Sequence, residues 1–143
     1  MNQSNSYGDY YFTEEHEWIR IEGDTAFVGL TNLAKSELGQ INEIEIHTIG
    51  KELVENQVFG RIRTKRYLCK LIMPVPGKVI ALNSIDYTSF NNLKKEFDPE
   101  EWIVKLQISL PLKTGKLFTF EQYREHQSQG ALHLVKYFLK FRD

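Results

Sequence analysis

The sequence predicts a mostly β fold, a sandwich or flattened barrel with short helices at its insertions and helices at its C-terminal end. Three observations carry this. Short segments alternate apolar and polar residues with period two, as in Trp18 to Ile21, Thr25 to Leu30 and Trp102 to Ile108. Glycine-bearing turns separate neighbouring segments, as at Glu22-Gly23-Asp24 and Ile49-Gly50. The chain shows neither a β-α-β rhythm nor a glycine-rich phosphate loop. With 143 residues, 41% of them hydrophobic and 13% aromatic, one domain can bury a substantial core. A net charge of −1 gives no global attraction to nucleic acid or membrane, so any basic feature must act locally. Cys69 is the single cysteine, which excludes an intrachain disulfide and suits a reducing compartment. No run approaches the roughly 18 apolar residues of a membrane span. The opening MNQSNSYGDYY has neither a secretory core nor the arginines of a transit peptide, so the expected location is cytoplasmic.

The elements follow in order. Strand signals begin at Tyr10, and a hairpin forms where Gly23 and Asp24 join two alternating arms. Thr31 is placed to cap a helix over Asn32 to Leu38, with Leu33, Ala34 and Leu38 on its apolar face and Gly39 at its end. Ile41, Ile44 and Ile46 mark another strand. Pro74 and Pro76 mark a bend or an edge, since proline cannot donate to a sheet ladder. A short helix is expected over Ser89 to Phe97, stopped by Asp98-Pro99. Trp102 to Ile108 is the last clear strand. Thr119 caps a further helix through Tyr123, and Gly130 interrupts it. Ala131 to Phe141, with Leu134, Val135, Phe138 and Phe141 at three- and four-residue spacing, then reads as a second helix.

The most charged stretch runs from Gly60 to Gly77 and reads as a β-hairpin. Arg61, Arg63, Lys65, Arg66 and Lys70 crowd its middle with no acid among them. Such a run serves as a solvated, edge-protecting face, or as a patch for an anion or an acidic partner. Nucleic acid is the disfavoured partner, because there is one patch, an acidic overall balance and no nucleic-acid motif. Cys69, flanked by cations, reads as a core cysteine on an alternating arm rather than as a reactive thiol. His47, His126 and His133 are scattered, which predicts no metal site. No nucleophile-base pair stands at a usable spacing, so no intrinsic enzyme is expected.

Taken jointly, these pieces resemble the H protein of the glycine cleavage system. The resemblance covers Tyr11 to Tyr123 and rests on Phe12-Thr13-Glu14-Glu15-His16-Glu17-Trp18-Ile19, on Val28-Gly29-Leu30-Thr31 with Ala34, Leu38-Gly39 and Ile41, on Gly50, Gly60, Pro74-Val75 and Gly77, and on Asp98-Pro99 with Trp102-Ile103-Val104-Lys105. It implies the lipoyl/biotinyl-carrier β-sandwich, with residues 10–128 as the carrier-fold domain; from their own composition, residues 1–9 are expected as a flexible N-terminus, and 129–143, beyond the usual family body, as a helical extension packed on the domain, its apolar stripe alternatively docking a partner or a second copy. It implies a carrier whose lipoate, on a lysine at a hairpin tip, moves a methylamine group among the glycine cleavage enzymes; the chemistry belongs to the cofactor. It also puts His16 and Glu17 on the strand near the cleft that receives the loaded arm. From the residues alone, Trp18 is expected in the core and His16 at the surface.

The tip departs from the family pattern of a glutamate, two small or apolar residues, the carrier lysine and a small residue. Aligned without a gap between Gly60 and Gly77, the glutamate falls on Arg63, the lysine on Arg66, the small residue on Tyr67 and the following acid on Lys70. Arginine cannot stand in for the lysine, because its guanidinium stays protonated and is a poor nucleophile. Lys65 lies one step early, and a one-residue slip in a strand turns a side chain to the opposite face. The expectation is therefore an H-like protein without the lipoyl arm and with no bound cofactor, acting as a non-catalytic binding module for proteins, among them glycine cleavage components or lipoate-transfer enzymes. One alternative is a working carrier with lipoate on Lys65. The other is an anion- or nucleic-acid-binding module using the basic hairpin.

Overall fold

A computed structural model describes residues 9–65, 67–83, 97–112, 116–128 and 138–140. Among them, ten strands build two antiparallel sheets. The first sheet runs β1 (Tyr10–Phe12), β2 (Glu17–Glu22), β3 (Thr25–Leu30), β9 (Trp102–Ile108), β8 (Gly77–Leu82), β5 (Glu52–Leu53). The second runs β10 (Phe138–Lys140), β7 (Tyr67–Ile72), β6 (Val58–Thr64), β4 (Ile41–Ile46). The expected β-sandwich is the fold observed.

The core lies between the sheets, where every second residue turns inward. Ile19, Val28, Ile62, Val79, Val104 and Leu106 are all at most 1% exposed. A second, aromatic cluster covers the other face of β1 and β2. There Trp18 stands one residue from inward-facing Ile19, and Phe12, Phe97 and Tyr123 pack with it. Gly29 pairs with Trp18, and a Cβ at Gly29 would come within 2.5 Å of the indole ring, so this position must be bare. Helix α2 (Phe120–Ser128) closes this cluster by stacking Tyr123 on Phe12, with centroids 5.0 Å apart.

Local chemistry explains the connections. The Thr31 hydroxyl accepts from the Ala34 amide at 3.3 Å and starts helix α1 (Asn32–Leu38), while Gly39, at φ +75°, ends it. Lys35 on α1 is buried, and its ammonium reaches Glu101 at 2.6 Å, fastening the helix to the 3-10 turn Pro99–Glu101. The Gly60–Gly77 stretch is shorter as a hairpin than its composition suggests. The β6–β7 ladder ends at Ile72, and Gly77 already belongs to β8 in the other sheet. Met73 to Pro76 carries the chain across the sandwich, which is why two prolines are tolerated there.

The C-terminal end requires a correction. Phe138–Lys140, expected as part of a helix, form β10 and pair with β7 in the register Phe138↔Cys69, Leu139↔Leu68, Lys140↔Tyr67. The edge of β7 exposes unpaired backbone donors and acceptors, and a nearby aromatic-rich segment satisfies them better as strand than as helix. The rest of the expected C-terminal helix, with Gly130, lies outside the described residues, as does the helix expected over Ser89 to Phe97 except for buried Phe97.

Candidate functional site

The hairpin that carries the basic residues is held in one register. Arg61 pairs with Lys70, Ile62 with Cys69 and Arg63 with Leu68, without a break up to the loop. The Thr64 hydroxyl accepts from the Tyr67 amide at 2.9 Å and closes the end of the ladder. The ladder's irregularity lies between Val58 and Gly60, at the far end from the loop. Alternation is clean along β6: Arg61 is exposed, Ile62 buried, Arg63 half-buried and Thr64 buried. Lys65, in the loop, is exposed and continues the outward stride of Arg61 and Arg63. Arg66 lies outside the described residues.

The basic residues do not all gather at the tip. Arg61 and Lys70 face each other down the shaft, and β4 brings acids alongside. Glu45 pairs with Arg61 and lies 3.3 Å from its guanidinium; Glu43 pairs with Arg63 at 3.6 Å. These acids stand in the alternating stretch Asn42-Glu43-Ile44-Glu45, and only the β4–β6 pairing makes them neighbours of the hairpin. Among the described residues, Lys65 and Lys70 make no ion pair.

His16 and Glu17 occupy a different environment from the one expected. His16 is wholly buried rather than at the surface. It sits in a turn in which the Thr13 hydroxyl accepts from the Glu15 and Glu17 amides at 3.2 and 3.1 Å, and its φ of +63° is an uncommon conformation for a side-chain-bearing residue. Its Nδ1 lies 2.6 Å from the Tyr123 hydroxyl, which lies 3.0 Å from the Thr31 hydroxyl. The chain of hydrogen bonds closes when Thr31 donates to Tyr123 and Tyr123 donates to His16. Sequence reasoning missed Tyr123, 107 residues from His16; its aromatic helix face was the available signal.

Glu17 is 2% exposed and lies on the inner face of β2. Burial raises its carboxyl well above the usual range, the nearby Glu15 charge adds to this, and the Thr13 hydroxyl at 3.5 Å with the Ile72 amide opposes it only in part. Cys69 is buried as expected, and its thiol is pushed up to about 12, first by burial and then by Glu17. It is therefore a neutral thiol at ordinary pH, not a nucleophile. Glu17 and Cys69 thus bring β2 and β7 together across the sandwich and leave His16 and Glu17 away from solvent. The adjacent pocket is lined instead by Thr13, Glu14, Glu15, Glu55, Asn56, Met73, Pro74, Lys116 and Leu117, with Lys116 3.5 Å from Glu55. Among the described residues no group of His, Cys, Asp and Glu is arranged to hold a metal ion, and no helix is long and apolar enough to cross a membrane.

Comparison with known proteins puts this geometry in context. A glycine cleavage system H protein of Bacillus cytotoxicus is 36% identical over 119 residues, covering 82% of this chain and 93% of the relative. The H protein of Salinibacter ruber is 32% identical over 117 residues, covering 82% of this chain and 94% of that one. The crystal structure of an H protein from Mycobacterium marinum superposes with a TM-score of 0.69 at 23% identity, over 85% of this chain and 98% of the other, a likeness of fold. The family model for the glycine cleavage H-protein matches residues 10–130, which includes the hairpin, the buried His16-Glu17 turn and helix α2. With every strand from β1 to β9 and the hairpin inside that match, the chain belongs to the glycine cleavage H-protein family.

Proposed function

We propose that this protein is an H-type carrier fold that works without a lipoyl arm, as a non-catalytic module binding other proteins, glycine cleavage components or lipoate-transfer enzymes among them. The observation that carries this reading is Arg66, which stands where the family pattern has its lysine when Gly60 and Gly77 are aligned without a gap. The continuous ladder up to Arg63↔Leu68 supports it, because a slip that moved Lys65 into the family position would have to break that register. Lipoate does not fit the residues present. The family position offers the guanidinium of Arg66 in place of a nucleophilic amine, and Lys65, though exposed in the loop, stands one residue before it. Arg63 and Lys70, where the pattern has acids, also present an altered charge to any modifying enzyme.

A second reading, lipoate on Lys65, draws on that residue's exposure in the loop. Intact mass after co-expression with a lipoate ligase and free lipoate separates the two. The expected result is the unmodified mass. A gain of one lipoyl group that disappears on Lys65→Ala would overturn the arm-less reading in favour of a carrier.

A further inference from the structure

We propose that the outward face of the β6–β7 hairpin is a docking surface for an acidic, extended segment of a partner protein, one with carboxylates at alternate positions. The proposal rests on the arm-less reading and names the chemistry of the partner. Arg61, Arg63 and Lys65 share one face, and in extended chain alternate residues recur about every 7 Å. Lys70 stands directly opposite Arg61 on the same ladder. Like charges placed opposite each other weaken a sheet, so the pair does not serve the hairpin itself. The strands supply only part of the counter-charge. Glu45 and Glu43 lie beside Arg61 and Arg63, while Lys65 and Lys70 make no ion pair among the described residues. An incoming carboxylate between Arg61 and Lys70, and another at Lys65, would complete the neutralisation.

The protein carries its own example of the complementary pattern. On β4, Glu43 and Glu45 alternate with apolar residues and meet Arg63 and Arg61 at the same spacing. In a partner segment that continues this Glu-x-Glu repeat, carboxylates four residues apart, about 13 Å, reach the levels of Lys70 and Lys65, with Arg63 between them. A nucleic acid matches less well. The whole chain is net −1, and Tyr67, the aromatic residue nearest the loop, is half-buried rather than offered for base stacking.

The test uses the full-length unmodified chain and a fluorescein-labelled peptide of alternating glutamate and threonine, followed by fluorescence polarisation. Binding is expected to fall at least about tenfold in the Lys65→Gln/Lys70→Gln double variant and to weaken steeply as salt rises from roughly 50 to 200 mM. The charge-matched control Lys51→Gln/Lys78→Gln, on other strands and loops, is expected to bind within about twofold of the parent. Absence of peptide binding by the parent, or equal binding by the parent and the Lys65/Lys70 variant, would overturn the proposal. So would a single-stranded RNA of equal charge that binds about tenfold more tightly than the peptide, which assigns the face to nucleic acid. Circular dichroism on each variant separates lost binding from lost folding. The mass of the same preparation reports the arm independently, so a lipoylated Lys65 and a silent basic face are distinguishable failures.

Discussion

At the scale of single residues, the hydroxyl of Tyr123 does more than its aromatic ring. It lies between His16 Nδ1 and the Thr31 hydroxyl, and all three residues are at most 1% exposed. That makes one phenol the joint between α2, the turn before β2 and the cap of α1. Tyr123→Phe keeps the stack on Phe12 but strips a buried partner from two polar groups, so a loss of about 1–3 kcal/mol in unfolding free energy is expected by urea denaturation. A loss no larger than that of an exposed control such as Glu121→Gln would mean that the hydroxyl's contacts contribute nothing net. His16 shows what was illegible in the sequence. A histidine between two glutamates reads as surface, and only a left-handed backbone with a partner far along the chain turns it inward. Neither signal is local. Trp18 is buried as expected, but on the face opposite Ile19, where Phe12 and Phe97 cover it, and the strand's period does not report that second aromatic layer.

At the scale of elements, the β6–β7 hairpin combines a legible register with illegible neighbours. Its arms, the helix Asn32–Leu38 with its Thr31 cap, and the β2–β3 hairpin could be read from period, cap and turn chemistry, all short-range signals. The acids of β4 beside Arg61 and Arg63, and β10 on the edge of β7, arise from strand pairing across long stretches of chain, which no local pattern reports. The Arg61↔Lys70 pair yields a prediction of its own. Glu45 already screens Arg61 at 3.3 Å and both cations are solvated, so the repulsion is small. Lys70→Gln should raise unfolding free energy by a few tenths of a kcal/mol at low ionic strength. The gain should vanish near roughly 1 M salt, where screening acts over about 3 Å. Matched urea titrations at both salt concentrations read this directly. A destabilised Lys70→Gln would show that the lysine's stem packs on the sheet, and that its charge is not the feature that matters.

At the scale of the whole molecule, the two sheets close over a carboxyl group. Glu17 starts β2 in one sheet, and its neighbours Cys69 and Ile72 lie on β7 in the other, so global unfolding is what returns it to water. Its folded value is raised, chiefly by burial, above the 4.5 of the free side chain. The folded state therefore holds the proton more tightly than the unfolded state, and linkage sets the sign. Below about pH 4.5 the carboxyl is protonated in both states and costs least; as pH rises from there through the folded value, the unfolded state ionises first and stability is lost. Each unit of separation corresponds to about 1.4 kcal/mol. Glu17→Gln keeps the shape and removes the titration. The variant should match the parent in acid, pull ahead in thermal midpoint as pH rises above 4.5, and hold a constant lead once the folded carboxyl has ionised. Paired melts across that range check it. A difference between the two proteins that does not change with pH would mean that Glu17 titrates alike in both states, and so that the sandwich opens around it before it unfolds.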